Sequence, residues 1–413
     1  MTYLAFVESN ITGHGVRALR TAKELGYRVA FLTSSPNLYR PPGGPDPLEP
    51  VDELVIADTY HPGHLNAALS LLPRPVDGIV AFDDYHLTPA SAVARLRGLP
   101  APSEAGLRTC RQKDLTRAAL ADAAAVPHQV VDADDEDVPK RSPVGYPCVV
   151  KPVDDSGSVA VRRCDDDVEF QAALAAVLER TVNVRGYRLT RRAIVERYLD
   201  GAEYSVEALS DGSGWQILGV TTKVLGRQPY AVELAHAFPA PLPEELTARL
   251  QSVAAGWLDA VGLDWGAAHI ELRLTEAGPL PIEINPRLGG GRIMDLIRLS
   301  TGCDPVEQFL RLSVGESLPA PHPALRNCQA AAIRFLTADQ HGNLESVQGV
   351  AAARGREGVQ EVCMVADLPR RVRPATSGYD YLGHVIAVGA SPVIAQARAD
   401  AAADSIAMKV TAL

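Results

Sequence analysis

The chain is 413 residues long, 46% hydrophobic and 22% charged, with a formal net charge of −10. That length admits roughly two or three domains with cores of their own. The acidic balance argues against nucleic acid or an anionic membrane as the main partner, and no apolar run approaches the ~20 residues of a membrane span.

The N-terminus, Met1-Thr2-Tyr3-Leu4-Ala5-Phe6-Val7-Glu8, enters a strand pattern with no basic segment before it, so no secretory signal is expected. Residues 3–9 and 28–33 read as strands around a helix at 14–25. A helix near 63–72, a strand at 78–81 and a helix near 87–96 follow. This alternation predicts a parallel, Rossmann-like sheet. The first strand-to-helix turn, Ser9-Asn10-Ile11-Thr12-Gly13-His14-Gly15-Val16-Arg17-Ala18, contains a G-x-G-x-x-A match. A dinucleotide fold wants an acidic residue closing the second strand, and Leu32-Thr33-Ser34-Ser35-Pro36 supplies none. The glycines are therefore read as permitting a tight turn, whose N–H groups could receive a substrate anion.

Pro100-Ala101-Pro102-Ser103 reads as a linker, followed by a helix at 113–124 and an acidic, proline-bearing loop at 132–143. Tyr146-Pro147-Cys148-Val149-Val150-Lys151-Pro152 is a buried strand ending in a lysine. The small-residue stretch Asp154-Asp155-Ser156-Gly157-Ser158-Val159-Ala160-Val161 comes next. Such a loop between strands can close over phosphates while the lysine neutralises their charge. The alternative is an ordinary hairpin with its lysine in solvent. Strands and hairpins continue to about 286, broken by helices near 168–178 and 244–261. Strands at 330–336, 358–365 and 382–388 and a helix at 392–408 end the chain. Cys110, Cys148, Cys164, Cys303, Cys328 and Cys363 are scattered without a CxxC pair, as expected of reduced thiols in a cytoplasmic protein.

Ala193-Ile194-Val195-Glu196-Arg197-Tyr198-Leu199-Asp200-Gly201-Ala202-Glu203 places an acid at each end of a short connection between strands. Its backbone can meet an adenine edge, and Glu203 can accept from two ribose hydroxyls. The strongest pattern lies further on. Strands at 267–274 and 281–287 flank a turn at Thr275-Glu276-Ala277-Gly278-Pro279. Glu283, Asn285 and Arg287 alternate, so on a strand they share one face. Folding the hairpin about Ala277 sets Glu271 opposite Glu283. Two facing carboxylates repel unless a cation lies between them, and oxygen-only donors suit Mg²⁺ or Mn²⁺. The alternative is a solvated hairpin face, and a slip of one residue in register would separate the pair.

Taken in order, Lys113, Lys151 with its loop, the Glu196–Glu203 connection, Glu271 and Glu283-x-Asn285-x-Arg287 resemble the ATP-grasp superfamily. Three stretches are most similar to its L-amino acid ligase branch: Glu8-Ser9-Asn10-Ile11-Thr12-Gly13, Glu233-Leu234-Ala235-His236-Ala237-Phe238-Pro239 and Arg287-Leu288-Gly289-Gly290-Gly291. The resemblance implies a multidomain α/β and α+β fold: a Rossmann-like parallel sheet, then an ATP-grasp fold with mixed and antiparallel sheets. The expected divisions are 1–102, 103–192 with the phosphate loop, and 193–413 with the metal site and the C-terminal strands.

The resemblance also implies roles. Lys113 and Lys151 would bind the phosphates of ATP under the loop Asp155, Ser156, Gly157 and Ser158. Glu196, Arg197, Tyr198 and Leu199 would meet the adenine, and Glu203 the ribose. Glu271, Glu283 and Asn285 would hold Mg²⁺. Arg287 would stabilise the phosphoryl group and an acyl phosphate. Glu233, His236, Gly289, Gly290 and Gly291 would line the amino-acid pocket, with His236 a candidate general base. The implied activity is an ATP-dependent carboxylate–amine ligase for small-molecule amino acids, possible as a homodimer. Two other readings are an ATP-grasp carboxylase or purine-pathway-like ligase acting on bicarbonate or formate, and a non-catalytic nucleotide-binding regulator.

Overall fold

A computed structural model of the chain describes residues 1–10, 14–39, 46–226, 228–319, 329–365 and 367–412. Ile11, Thr12 and Gly13 of the first glycine turn, and Cys328, lie outside the described residues.

β1 (Tyr3–Val7), α1 (His14–Glu24), β2 (Arg28–Thr33), β3 (Glu53–Ile56), α2 (Pro62–Ser70), β4 (Gly78–Val80) and α3 (Leu87–Leu96) come first. Their strands form a parallel sheet in the order β3-β2-β1-β4, the Rossmann-like arrangement expected. β1 is buried along its whole length, which is why Tyr-Leu-Ala-Phe-Val shows no polar alternation. Successive connections leave β1 on opposite sides, so a crevice opens beyond the carboxyl ends of β1 and β4.

α4 (Glu104–Arg111) follows the expected linker, started by Ser103 Oγ accepting from the Gly106 amide at 3.1 Å. α5 (Lys113–Ala119) stops short of the expected residue 124. The next sheet joins β5 (His128–Asp132), β6 (Cys148–Pro152), β7 (Arg162–Cys164) and β8 (Arg192–Arg197) in the antiparallel order β5-β8-β6-β7. α6 (Asp167–Leu178) packs on it, burying Phe170, Leu174 and Val177 against Val131, Val150 and Val195. The expected division at 192 falls on the first residue of β8. Because β8 bonds to β5 and β6, this sheet runs on to Arg197. Cys148 and Cys164, distant in sequence, stand opposite each other across β6 and β7 as buried free thiols.

The remaining elements are β9 (Ala202–Ser210), β10 (Trp215–Leu225), β11 (Glu233–Phe238), α7 (Glu244–Ala260), β12 (Gly266–Thr275), β13 (Gly278–Asn285), α8 (Ile293–Thr301) and α9 (Pro305–Ser313). They are followed by β14 (Ala330–Leu336), β15 (Gly342–Gln348), α10 (Val350–Arg354), β16 (Val359–Met364), β17 (Arg370–Val372), β18 (Gly383–Gly389), α11 (Pro392–Ala403) and β19 (Ala407–Thr411). An eight-stranded sheet runs β13-β12-β9-β10-β11-β14-β18-β16, and β17-β15-β19 form a small sheet beside it. The helix expected to reach 408 ends at Ala403, because the chain turns to pair β19 with β15. Among the described residues no helix is long and apolar enough to cross a membrane.

The β12–β13 hairpin has the expected register: Glu271 faces Glu283, and His269 faces Asn285. Arg287 is different. β13 ends at Asn285, so Arg287 lies beyond the strand rather than on its face.

Candidate active site

A cavity lies between the β5–β8 sheet and the β12–β13 hairpin. It is lined by Lys113, Lys151, Asp155, Ser156, Ser158, Glu196, Arg197, Tyr198, Leu199, Glu203, Glu233, Glu271 and Glu283. Most residues singled out from the sequence are thus brought together around one space.

The lysines are held by carboxylates and backbone. Lys151, buried at the end of β6, has Nζ 2.7 Å from Glu196 Oε2. Arg117 Nε takes the other oxygen of Glu196, also at 2.7 Å. Glu196 is therefore engaged by two cations at the cavity floor. Burial would raise its pKa, but Arg117 and Lys151 hold it down at about 2. Burial in turn lowers the Lys151 pKa, an effect Glu196 only partly offsets. Lys113 Nζ donates to the Asp155 carbonyl at 2.9 Å and lies 3.1 Å from Glu283 Oε1.

The loop between β6 and β7 has one glycine, yet three of its residues are left-handed: Gly157 (φ 71), Ser158 (φ 57) and Ala160 (φ 57). Non-glycine residues hold that conformation at a cost of about 1 kcal/mol each, usually where function needs the backbone so turned. Tyr85, in the chain leading to α3, fixes the loop base by donating to Asp155 Oδ1 at 2.7 Å, with Ser156 Oγ 2.9 Å away. At the β8–β9 connection, the Tyr198 ring lies between the guanidinium groups of Arg163 and Arg273, at 4.6 and 4.9 Å. Arg273 also donates to the Leu199 carbonyl at 2.6 Å and to Glu203 Oε2 at 3.1 Å, which pins the connection in place.

Carboxylate oxygens of Glu203, Glu233 and Glu271 lie within 4.8 Å of one another. The buried ammonium of Lys223 on β10 stands beside them, 2.9 Å from Glu271 and in contact with Glu233. Burial opposes its charge, but Glu233, Glu271 and Glu203 raise its pKa. His269 extends the chain of contacts: Nδ1 lies 2.8 Å from Glu207 Oε1, and Nε2 lies 2.9 Å from Glu271 Oε1. Burial lowers the His269 pKa, and Glu207 and Glu271 more than reverse that, to about 9. The converging carboxylates of Glu203, Glu233 and Glu271 are an all-oxygen set of the kind a divalent cation such as Mg²⁺ takes, and Asn285 follows two residues after Glu283, which faces Glu271. Lys113 and Lys223 now neutralise these two glutamates.

Beyond the hairpin, Arg287 Nε donates to Asp84 Oδ1 at 2.8 Å. Asp84, 7% exposed, also lies 3.3 Å from Arg111, and the two guanidinium groups hold its carboxyl well below the usual range despite burial. The glycines after Arg287 are required by close neighbours. A methyl group at Gly289 would lie 2.7 Å from Glu207 Oε2, and one at Gly291 would lie 2.5 Å from His236 Nε2. His236 is fully buried, 3.1 Å from Glu233 Oε2, with its ring edge-on to Phe335. Gly290 faces open space.

Asp84, Arg117, Lys223, Glu207, His269 and Arg273 complete the site and are not marked by the sequence patterns above. Two left a signal. Lys223 interrupts the apolar run of β10, and His269 shares a strand face with Glu271 at a spacing of two.

Family descriptions match the chain over most of its length. The ATP-grasp domain matches residues 144–295, the ATP-grasp N-terminal domain 19–101, and L-amino acid ligase C-terminal domain 2 matches 334–411. An uncharacterized protein, y4rH, of Sinorhizobium fredii is 31% identical over 369 residues, covering 86% of this chain and 73% of its own. Carnosine synthase 1 of Gallus gallus is 30% identical over 220 residues, which cover 50% of this chain. The matched part spans 23% of that longer relative. Among solved structures, an L-amino acid ligase from Bacillus licheniformis superposes with a TM-score of 0.82 at 22% identity, covering 100% of this chain and 99% of that one.

Proposed function

The chain belongs to the ATP-grasp superfamily, in its L-amino acid ligase branch, and on that premise we propose that it joins two amino acids through an amide bond by way of an acyl phosphate. As an ATP-dependent ligase it forms carbon–nitrogen bonds. The observation that carries the finer reading is the meeting, around one cavity, of two buried lysines and the facing carboxylates Glu271 and Glu283, with Arg287 just beyond. The relatives named for carnosine synthesis and amino-acid ligation support an amino-acid product.

A carboxylate is a poor electrophile at neutral pH, so an amine does not attack it usefully. Transfer of the γ-phosphoryl group to it supplies a leaving group, and the enzyme contributes position and charge neutralisation. Lys113 and Lys151 hold the phosphates beneath the Asp155–Ser158 loop. The connection Glu196 to Leu199 receives the adenine, chiefly through backbone and the Tyr198 ring, and Glu203 meets the ribose. Glu271, Glu283 and Asn285 would hold Mg²⁺, which would supply charge neutralisation to the phosphates when bound. Arg287 then faces the transferring phosphoryl group and the oxyanion that forms when the amine attacks. Glu233 and His236 border the amino-acid side, with the Gly289–Gly291 backbone close to the reacting carbonyl. The loop excludes water that would hydrolyse the intermediate.

Oxygen tracing tests this. With ¹⁸O in the donor carboxylate, an acyl phosphate carries label into the released phosphate as the amide forms. Unlabelled phosphate alongside amide product would exclude that route.

A further inference from the structure

At the carboxyl ends of β1 and β4 stand two buried polar side chains that no step above uses. His14, the first residue of α1, is 2% exposed, yet neither of its ring nitrogens has a hydrogen-bond partner among the described residues. Ser9 Oγ, at 0% exposure, is likewise without a partner among the described residues. Ser9 stands against the start of the helix that His14 opens. A methyl group on Gly15, the residue after His14, would come within 2.3 Å of Ser9 Oγ. Phe82, just past β4, lies against the His14 ring with centroids 5.7 Å apart. Two residues later, Asp84 holds Arg287.

Buried polar groups are rarely left unpaired in folded proteins, and those that are mark a strained, catalytic or ligand-binding place. Here two are unpaired among the described residues, at the strand ends where open α/β sheets bind ligands. Burial, with Arg287, Arg17 and Arg292 nearby, pulls the His14 pKa down to about 3, so its ring is neutral, with one N–H to donate. α1 is eleven residues long and directs its positive end to the same place. Those guanidinium groups are themselves paired with Asp84, Asp295, Asp304 and Glu361, so it is the helix start and the neutral N–H that favour an anion over an ammonium.

We propose that the start of α1 receives the free carboxylate of the amine-bearing substrate, with His14 and Ser9 as its hydrogen-bond donors. The inference rests on the amide-forming reading. An α-amino acid seated by its carboxylate here carries its amine two bonds away, toward Arg287 and the activated carbonyl. The second substrate is then selected as an amino acid rather than a simple amine. The carboxylate that is activated is the other substrate's.

The test compares an acceptor with its carboxamide. Amide formation is assayed with the common amino acids as acceptors, and the best is then paired with its own carboxamide. His14→Ala should raise the KM of the amino-acid acceptor by about tenfold, the worth of a hydrogen bond to a charged group. The KM values of the carboxamide, of ATP and of the donor should stay as they were. His14→Asn, which keeps a donor, should recover part of the loss, and Ser9→Ala should show a smaller effect of the same kind, readable even if His14→Ala folds poorly. Equal changes for acid and carboxamide, or a change in donor KM instead, would overturn the assignment while leaving the amide reading intact. A wild-type enzyme that forms no amide from any pair would overturn both.

Discussion

Asp84, in the segment after β4, holds Arg287, two residues past the end of β13, through a contact of 2.8 Å between Oδ1 and Nε. It ties the first sheet to the end of the β12–β13 hairpin. An arginine beyond its strand has no ladder to orient it, so Asp84 fixes its direction. Asp84→Asn should therefore lower kcat for amide formation by about 10- to 100-fold, as loss of an orienting partner does at other polar sites, with little change in the KM for ATP. Arg287→Lys should not rescue it, since an ammonium lacks the planar fork. Unchanged kcat in Asp84→Asn would mean that Arg287 is positioned by something else.

Glu283 faces Glu271 across the hairpin, where Lys113 and Lys223 neutralise the pair and a divalent cation would join them. Glu283→Ala should reduce Mg²⁺-dependent ADP release by more than about 100-fold, because it removes an oxygen from the metal that neutralises the phosphates. Thermal melting should show a folded protein. Near-normal turnover with Mg²⁺ would contradict the metal assignment.

Glu196 is buried between Lys151 and Arg117, and its pKa of about 2 lies below the ordinary 4.5. A carboxyl with a depressed folded pKa contributes stability above its unfolded pKa and loses it as pH falls through the folded value. The gap here corresponds to a contribution on the order of 3 kcal/mol. Denaturant melts should thus find Glu196→Gln less stable than wild type at pH 6, with the difference shrinking between pH 4.5 and about 2. A difference independent of pH would show that the carboxylate charge is not what matters.

Much of this was legible beforehand where chemistry and periodicity coincide. The strand with Lys151 and the facing of Glu271 and Glu283 follow from apolar runs and from counting about a turn. β2 and α3 have the expected bounds because β-branched runs and small-residue helices announce themselves. α8 follows Arg292, which is left-handed and gives no side-chain cap, so its start carries no signal; α9, which the patterning did not single out either, starts at a capping Asp304. β19 sits in a stretch whose alanines read as helix, and pairing with β15 overrides that propensity. The partners of Lys151, Lys223 and Arg287 are set by tertiary structure. No local pattern links Asp84 to Arg287, or Arg117 to Glu196.

Gly291 combines a φ of +57° with the His236 ring close against it. Gly291→Ala should impair amide formation by displacing His236, with less effect on ATP binding. His236→Ala makes room for the added methyl group, so the double variant should be less impaired than the two single effects combined. Additive losses would mean that the close approach of the two residues is irrelevant to function.

The central claim is that two amino acids, and not a one-carbon acid, drive turnover. ADP release should be measured with Mg²⁺–ATP against pairs of common amino acids and against bicarbonate and formate, with mass spectrometry of the products. ADP release should require an amino-acid pair and match the amount of amide formed. Stimulation by bicarbonate or formate alone, or ATP binding without turnover by any pair, would contradict it.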